Sequence, residues 1–327
     1  MKRISALMIL LGASAASVHA EEVTLQIADQ KGGMRSVLEA AGDLQHLPYH
    51  IRWTEFPAAA PLGEALNAGA VDAGIIGDAP LLFAEAGGAR VKAIAVAKSD
   101  AYGTALLVNA NSPLHSAADL KGKSIATNRG SIGHFVALKA LASAGLKASD
   151  VNFRFLDPAD AKLALVRGSV DVWATWEPYT AFAETQDHLR VLVNGRGLWA
   201  GNSYVAATDT ALANPAKRKA LQDFLLRLAS AQQWANQHPD SYSQTLSKII
   251  GFPVDAVKLS FTRRHMVWQS IDPQTVVQQQ QTADFYHQSG LLPKTIQVAP
   301  TFDHSFKLPA PDVSAAAATT TPAQEGK

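Results

Sequence analysis

The chain has 327 residues, 47% of them hydrophobic and 17% charged, with a formal net charge of +1. That composition describes a globule whose core is large enough for two lobes, and it excludes a disordered chain. A charge this close to zero gives no general attraction to nucleic acid or acidic membrane. With no cysteine there is no disulfide framework, thiolate metal site or cysteine nucleophile.

Residues 1–20 read as a cleavable secretion signal. Lys2 and Arg3 form a positive start, Ala6–Ala13 an apolar run too short to span a bilayer, and Val18-His19-Ala20 a small-residue cleavage site. The mature chain is therefore expected to be exported, soluble and periplasmic.

From Val23 strand-like and helix-like pieces alternate. Val23–Ala28 and His50–Phe56 read as strands, and Gly32–Ala41 and Pro61–Ala68 as helices. Val71–Ile76 is an apolar strand. Gly77-Asp78-Ala79-Pro80 follows, with Asp78 expected to cap a helix over Leu81–Ala86. Val91–Ala97 and Gly103–Asn109 are strands, Ser116–Leu120 a short helix, and Lys123–Thr127 a strand. The run ATNRGSIGHFVALKALASAG, Ala126–Gly145, passes from that strand through a Gly/Ser loop into an expected amphipathic helix. Val151–Leu156, Val170–Ala174, Val191–Val193 and Ser203–Ala207 continue as strands, with Pro158–Arg167 as a helix. This βα alternation implies mostly parallel sheets with helices on both faces.

Beyond about residue 211 the pattern becomes helical, over 216–237, 242–250, 253–261 and 273–290. Residues 311–327 are rich in Pro, Ala and Thr and are expected to be disordered. Two α/β lobes on one exported chain suggest a ligand cleft between them.

Three stretches share one grammar of strand, small polar loop and helix start: Gln30-Lys31-Gly32-Gly33, Gly77–Pro80, and Asn128–His134. A helix start leaves N–H groups unpaired and favours anionic oxygens, glycine admits close approach, and Ser131 adds a hydroxyl. No loop matches GxxxxGK[ST] or GxGxxG, which argues against a nucleotide. Each loop is also readable as a simple capping turn, and Lys31 and Arg129 as solvated charges that can steer an anion. Asp78 caps, or meets a cationic or hydroxyl end of the ligand. In Asp171–Tyr179 (DVWATWEPY), Trp173 and Trp176 face opposite ways at strand spacing, so Trp173 is expected in the core and Trp176 on a cleft wall. Glu177 caps the next helix or touches ligand. His134 lies in the first turn of the candidate anion helix, as an exposed or capping residue or a ligand contact.

No HExxH, GxSxG or other catalytic set is present, and no cofactor or metal is implied. A binding module fits better than an enzyme.

Several strings together resemble a known family. They are Gln30-Lys31-Gly32, Trp53-x-Glu-Phe-Pro57, Glu64-Ala-Leu-Asn-x-Gly-x-Val-Asp-x-Gly74 and Gly77-Asp78-x-Pro80. Asp119-Leu-Lys-Gly-Lys123, Gly130-Ser131-x-x-His134, Asp157-Pro-Ala-Asp-Ala161, Trp176-Glu-Pro-Tyr179 and Gln278–Asp284 continue the match over about 23–306. They resemble the aliphatic sulfonate-binding proteins of ABC importers and, less closely, the taurine- and nitrate-binding ones. The resemblance implies a type II periplasmic binding fold: lobe 1 over 21–107 and 206–310, lobe 2 over 108–205, and hinge strands near Leu106–Asn109 and Tyr204–Ala207. It also implies lobes that close on a sulfonate and a closed form that docks on a membrane permease driven by an ATPase; the sequence shows no sign of an oligomer interface, which makes a monomer the default. The family's sulfonate contacts map to Gln30, Gly77, Asp78, Gly130, Ser131 and Trp176, with His134 and Ser203 beside them. Lys31, Ile132 and Glu177 complete the candidate site. Two departures make the pocket more apolar: Ile132 stands where the family often has a serine, and Gly32-Gly33-Met34 replaces a more hydroxyl-rich stretch. Taurine, a sulfate ester, nitrate or a pyrimidine precursor are the alternative ligands.

Overall fold

A computed structural model describes residues 23–310. The expected secretion signal and the 311–327 tail lie outside the described residues. The first lobe opens with β1 (Thr24–Gln30), α1 (Met34–Ala41), β2 (His50–Phe56), α2 (Ala59–Asn67), β3 (Ala73–Gly77), α3 (Asp78–Ala86) and β4 (Val91–Lys98). The second lobe holds β5 (Ala105–Val108), β6 (Ser124–Thr127), α4 (Ile132–Ser143), β7 (Asn152–Phe155), α5 (Pro158–Val166), β8 (Val172–Thr175), α6 (Tyr179–Gln186) and β9 (Arg190–Asn194). The chain returns through β10 (Asn202–Thr208), α7 (Asp209–Ala213), α8 (Pro215–Gln237), α9 (Pro239–Ile250), α10 (Val254–Arg264), β11 (Val267–Gln269) and α11 (Pro273–Gln288).

Two sheets result, one ordered β11-β4-β10-β3-β1-β2 and the other β7-β6-β8-β5-β9. The expected mostly parallel pairing is corrected to a mixed one. β1 is parallel to β2 and β3, and β6 to β7 and β8. However, β10 inserts between β3 and β4 and runs against both, and β5 runs against β8 and β9. Those two are the strands by which the chain enters or re-enters a sheet after crossing between lobes, and a third, β11, runs against β4 at the sheet edge. The sequence boundaries at 107/108 and 205/206 fall inside β5 and β10, each of which lies wholly in one sheet. The crossings themselves are 99–104 and 195–201, and Ser99 ties them together by donating N–H and Oγ–H bonds of 3.0 Å each to the Gly201 carbonyl.

The core follows the apolar alternation. Leu25 and Ile27 of β1 pack with Val37, Leu38, Phe224 and Leu228 of α1 and α8. Leu62, Ile76 and Leu81 belong to a second cluster that continues into the other lobe through Leu106, Ile125 and Val136. The helix expected to be amphipathic, α4, is instead buried on nearly all sides, from Gly133 through Leu138 and again at Ala140 and Leu141. It packs on β8 and β5 and also meets α3. Its Phe135 ring lies 5.6 Å from Phe285 and 5.3 Å from Tyr286. A helix enclosed between two lobes has no solvent stripe to keep polar. Gly133 permits the close approach, since a Cβ there would lie 2.8 Å from the Ala174 carbonyl oxygen.

Candidate ligand cleft

A cavity of about 520 Å³ lies between the sheets. Its walls come from the carboxyl ends of four strands, where ligands gather in α/β folds. Gln30 ends β1 and Lys31 follows it, Gly77 ends β3, Gly130 and Ser131 follow β6, and Trp176 and Glu177 follow β8. Ile132 opens α4, and Ser203 joins from β10, where it is paired with Gly77. Phe83, Tyr179 and Phe252 add aromatic wall. Trp173 is buried in the second-lobe core at 1% exposure, and Trp176 stays on the cavity wall.

The three loops of shared grammar turn out to differ. At α1 the buried Asp29 carboxylate accepts the N–H groups of Gln30 (2.8 Å), Met34 (3.1 Å) and Arg35 (2.7 Å), so this helix start already holds an anion of its own. At α3 the Asp78 carboxylate takes the Ala79 N–H at 2.7 Å, and Pro80 has no N–H to offer. At α4 the Ser131 hydroxyl caps by accepting the His134 N–H at 3.1 Å, and its own proton stays free to donate. Here the N–H groups of Ile132 and Gly133 have no protein acceptor among the described residues. Of the three expected anion loops, only this one keeps an open helix start.

Two expected contact residues are displaced from the wall. Asp78 is not the cap of α3 but its first residue, Gly77 holding the cap position. Its side chain is 1% exposed and turned to Trp199, whose indole N–H donates at 2.6 Å. His134 is neither exposed nor on the cavity wall. It is 2% exposed, its Nδ1 accepts the Gly130 N–H at 3.3 Å, and its ring meets Phe153 and Phe155 edge-on. Both sit behind the loops and brace them.

These buried groups give stability a pH dependence. Burial pushes Asp78 up to about 7 against the pull of the Trp199 and Ala79 donors. It likewise pushes Asp29 up to about 6 against its backbone donors. A carboxyl raised above its unfolded value near 3.9 contributes stability that is complete below that value and lost as pH rises through the folded one. His134, pushed down to about 4 by burial and then by Arg129, contributes in the opposite sense: its share is present above about 6.5 and lost toward 4. Unfolding midpoints measured from pH 8 to pH 5.5 should therefore rise by less in Asp78→Asn than in the unaltered protein. Identical slopes would show that Asp78 ionises as a solvated carboxylate does.

The family model for ABC-transporter periplasmic phosphonate substrate-binding proteins matches residues 46–250. A protein of Escherichia coli strain K12 whose name places it with the aliphatic sulfonates-binding proteins is 35% identical over 296 residues, 88% of this chain and 92% of that one. The chain belongs to the aliphatic sulfonate-binding family of ABC-transporter periplasmic proteins. Two solved structures share its architecture. The alkanesulfonate-binding protein SsuA of Xanthomonas axonopodis pv. citri, bound to MOPS, is 33% identical with a TM-score of 0.80, covering 87% of this chain and 99% of that one. The periplasmic aliphatic sulphonate binding protein SsuA of Escherichia coli is 32% identical with a TM-score of 0.76, covering 86% and 98%. No helix among the described residues is long and apolar enough to cross a membrane.

In this family member the helical return also reaches the cleft, although no loop motif in that part of the sequence marks it. Ile250, Phe252 and Arg264 line the cavity from α9, its following loop and the end of α10. Beside them Arg263 bonds Glu177 through Nε and holds Glu184 at 2.6 Å. Glu177 also accepts the Ala181 N–H at 3.0 Å, so it caps α6 and sits in a buried ion pair, which leaves little of the carboxylate for a ligand. The signal for this part of the site was weak. Arg263-Arg264 at a helix end reads as ordinary dipole-compensating charge, and neither helix carries a loop motif.

Proposed function

We propose that the protein captures aliphatic sulfonates in the periplasm and delivers them, chemically unchanged, to the permease and ATPase of an ABC importer, as a monomer serving sulfur acquisition. It reaches that compartment through the 1–20 leader. The open start of α4 on a cavity with an apolar wall carries this reading. A sulfonate is a permanent monoanion with three acceptor oxygens. The N–H groups of Ile132 and Gly133 and the Ser131 hydroxyl offer donors without requiring a buried counter-ion. Phe83, Ile132, Trp176 and Tyr179 supply apolar surface for an alkyl tail.

A cavity of about 520 Å³ is larger than nitrate needs. Taurine would need a carboxylate for its ammonium. Asp78 is off the wall and Glu177 is held by Arg263, so exposed Glu64 is the one unpaired acid on the wall among the described residues. Among the described residues the wall carries no histidine, and carriage without chemistry is part of the proposed reading.

The test is calorimetric titration of the mature chain, residues 21–327, with pentanesulfonate, pentylphosphonate, taurine, nitrate and sulfate. Pentanesulfonate is expected to bind at micromolar concentration or tighter, with sulfate and nitrate inert. Ser131→Ala should weaken it by about 1–3 kcal/mol, the cost of an unmet bond to a charged group. Silence from both alkyl anions, or full affinity in Ser131→Ala, would overturn the assigned site. A preference for the phosphonate would move the ligand class and keep the pocket.

A further inference from the structure

We propose that a side pocket opening off the cleft is a second anion subsite built around Arg264. The preferred ligands would then be sulfonates that carry another anionic group, such as a carboxylate, at the far end of the carbon chain. This rests on the sulfonate reading above and adds a second pole to it.

The side pocket has a volume of about 110 Å³ and shares Lys31, Gly33, Ile250 and Arg264 with the main cavity. Its remaining polar wall is Gln232, Tyr242 and Ser260. Ser131 and Gly130 line the main cavity alone, so the open helix start and Arg264 mark two separate poles. The space is ample for one carboxylate or sulfonate head, given that a water's share of the liquid is about 30 Å³.

Arg264 is half-buried at the last position of α10, before the left-handed His265 (φ 44°) that ends the helix. Among the described residues its guanidinium has no hydrogen bond and no ion pair. Its neighbour Arg263 holds Glu177 and Glu184. A partly desolvated cation without a partner is costly. A fork of five donors without an acceptor is shaped for a planar or tetrahedral oxyanion.

The surrounding charges leave that role open. Exposed Lys31, beside Arg264 on both cavities, has no carboxylate partner among the described residues. Glu177, whose charge acts on Arg264, has its two oxygens engaged by Arg263 and by the Ala181 N–H. Asp29, behind the Gln30–Gly33 loop, is committed to the start of α1. The far end of the cleft thus presents two unpaired cations where a purely alkyl tail would have no use for them.

The test compares two ligands of matched length, butane-1-sulfonate and 4-sulfobutanoate, by calorimetric titration of the mature protein and of Arg264→Met and Arg264→Lys. The unaltered protein is expected to bind 4-sulfobutanoate at least about tenfold tighter than butanesulfonate. In Arg264→Met that ratio should fall to near one, and Arg264→Lys should keep part of it, since a point charge replaces the fork. A circular-dichroism melt confirms that each variant is folded, and Arg264→Lys alone reads the ratio if the methionine variant is not. Equal losses for both ligands would assign Arg264 to the sulfonate itself and overturn the second pole. So would an unaltered protein that binds butanesulfonate the tighter. If the folded protein binds neither ligand, the sulfonate reading itself falls and this inference with it, an outcome distinct from surviving sulfonate binding without preference.

Discussion

Arg263→Met is expected to lower the stability of the folded protein by about 3–5 kcal/mol, the usual cost of leaving a buried ion without its partner. Arg263 comes from α10, on the first-lobe side. Both of its carboxylates come from the second lobe: Glu177 just before α6, and Glu184 within it. The Arg263 and Glu177 side chains are 14% and 3% exposed, so water cannot replace the lost charge. Burial pushes Glu177 up, and Arg263 is the main force holding it ionised. Urea unfolding at pH 7 reads the loss directly. Adding Glu177→Gln to Arg263→Met should recover a large part of it, because a neutral side chain needs no counter-charge. A loss under about 1 kcal/mol would place the pair in the solvated class instead. The α6–α10 contact also includes Gln186 donating to Asp255 (3.1 Å), and Phe182 of α6 packs on Phe252 in the loop before α10 (4.8 Å). Arg263 is therefore the charged centre of a seam that joins the lobes beside the cleft.

The βα alternation from Val23 to Ala207 is legible because each strand is a short apolar run and each helix start carries Gly, Pro, Ser or Asp. What a single chain does not display is which runs pair out of order. Nothing in Asn202–Thr208 announces that it slots between β3 and β4, and β11 is only three residues long. The burial of α4 was half visible. Its residues are apolar on almost every face, but Lys139 suggests a wet side, whereas its ammonium lies 4.7 Å over the Phe285 ring. In the site, the loops were found by their glycines, and their occupancy was not. Asp29 reaches N–H groups five and six residues ahead, a spacing outside the ordinary capping patterns, so the first loop looked open when it was filled. Arg264 could not be separated from Arg263 by type or spacing. Adjacent helix positions point about 100° apart, and only the packing of α10 decides which of the pair meets Glu177.

Gly201→Ala should cost about 2–5 kcal/mol, combining about 1–2 for a left-handed backbone in a non-glycine residue with about 1–3 for overpacking. Gly201 has φ 76°, and a Cβ there would overlap the Ser99 carbonyl oxygen of the other crossing. The same two residues are hydrogen-bonded through the Ser99 N–H and hydroxyl, so the backbones cannot part without losing both bonds. Gly197, in the same crossing, supplies the control. Its φ is 75°, but no atom lies within 4 Å of the position a Cβ would take. Gly197→Ala should therefore show the conformational cost alone, and the difference between the two unfolding free energies measures the close approach of the crossings. Equal costs would mean that the crossings are slack where they meet. A difference of about 1–3 kcal/mol would identify the Ser99–Gly201 contact as the fixed point between β4 and β10 on one side and β5 and β9 on the other. Any opening or closing of the cleft must then be accommodated by the residues flanking it, 100–104 and 195–200, and not by sliding of one crossing along the other.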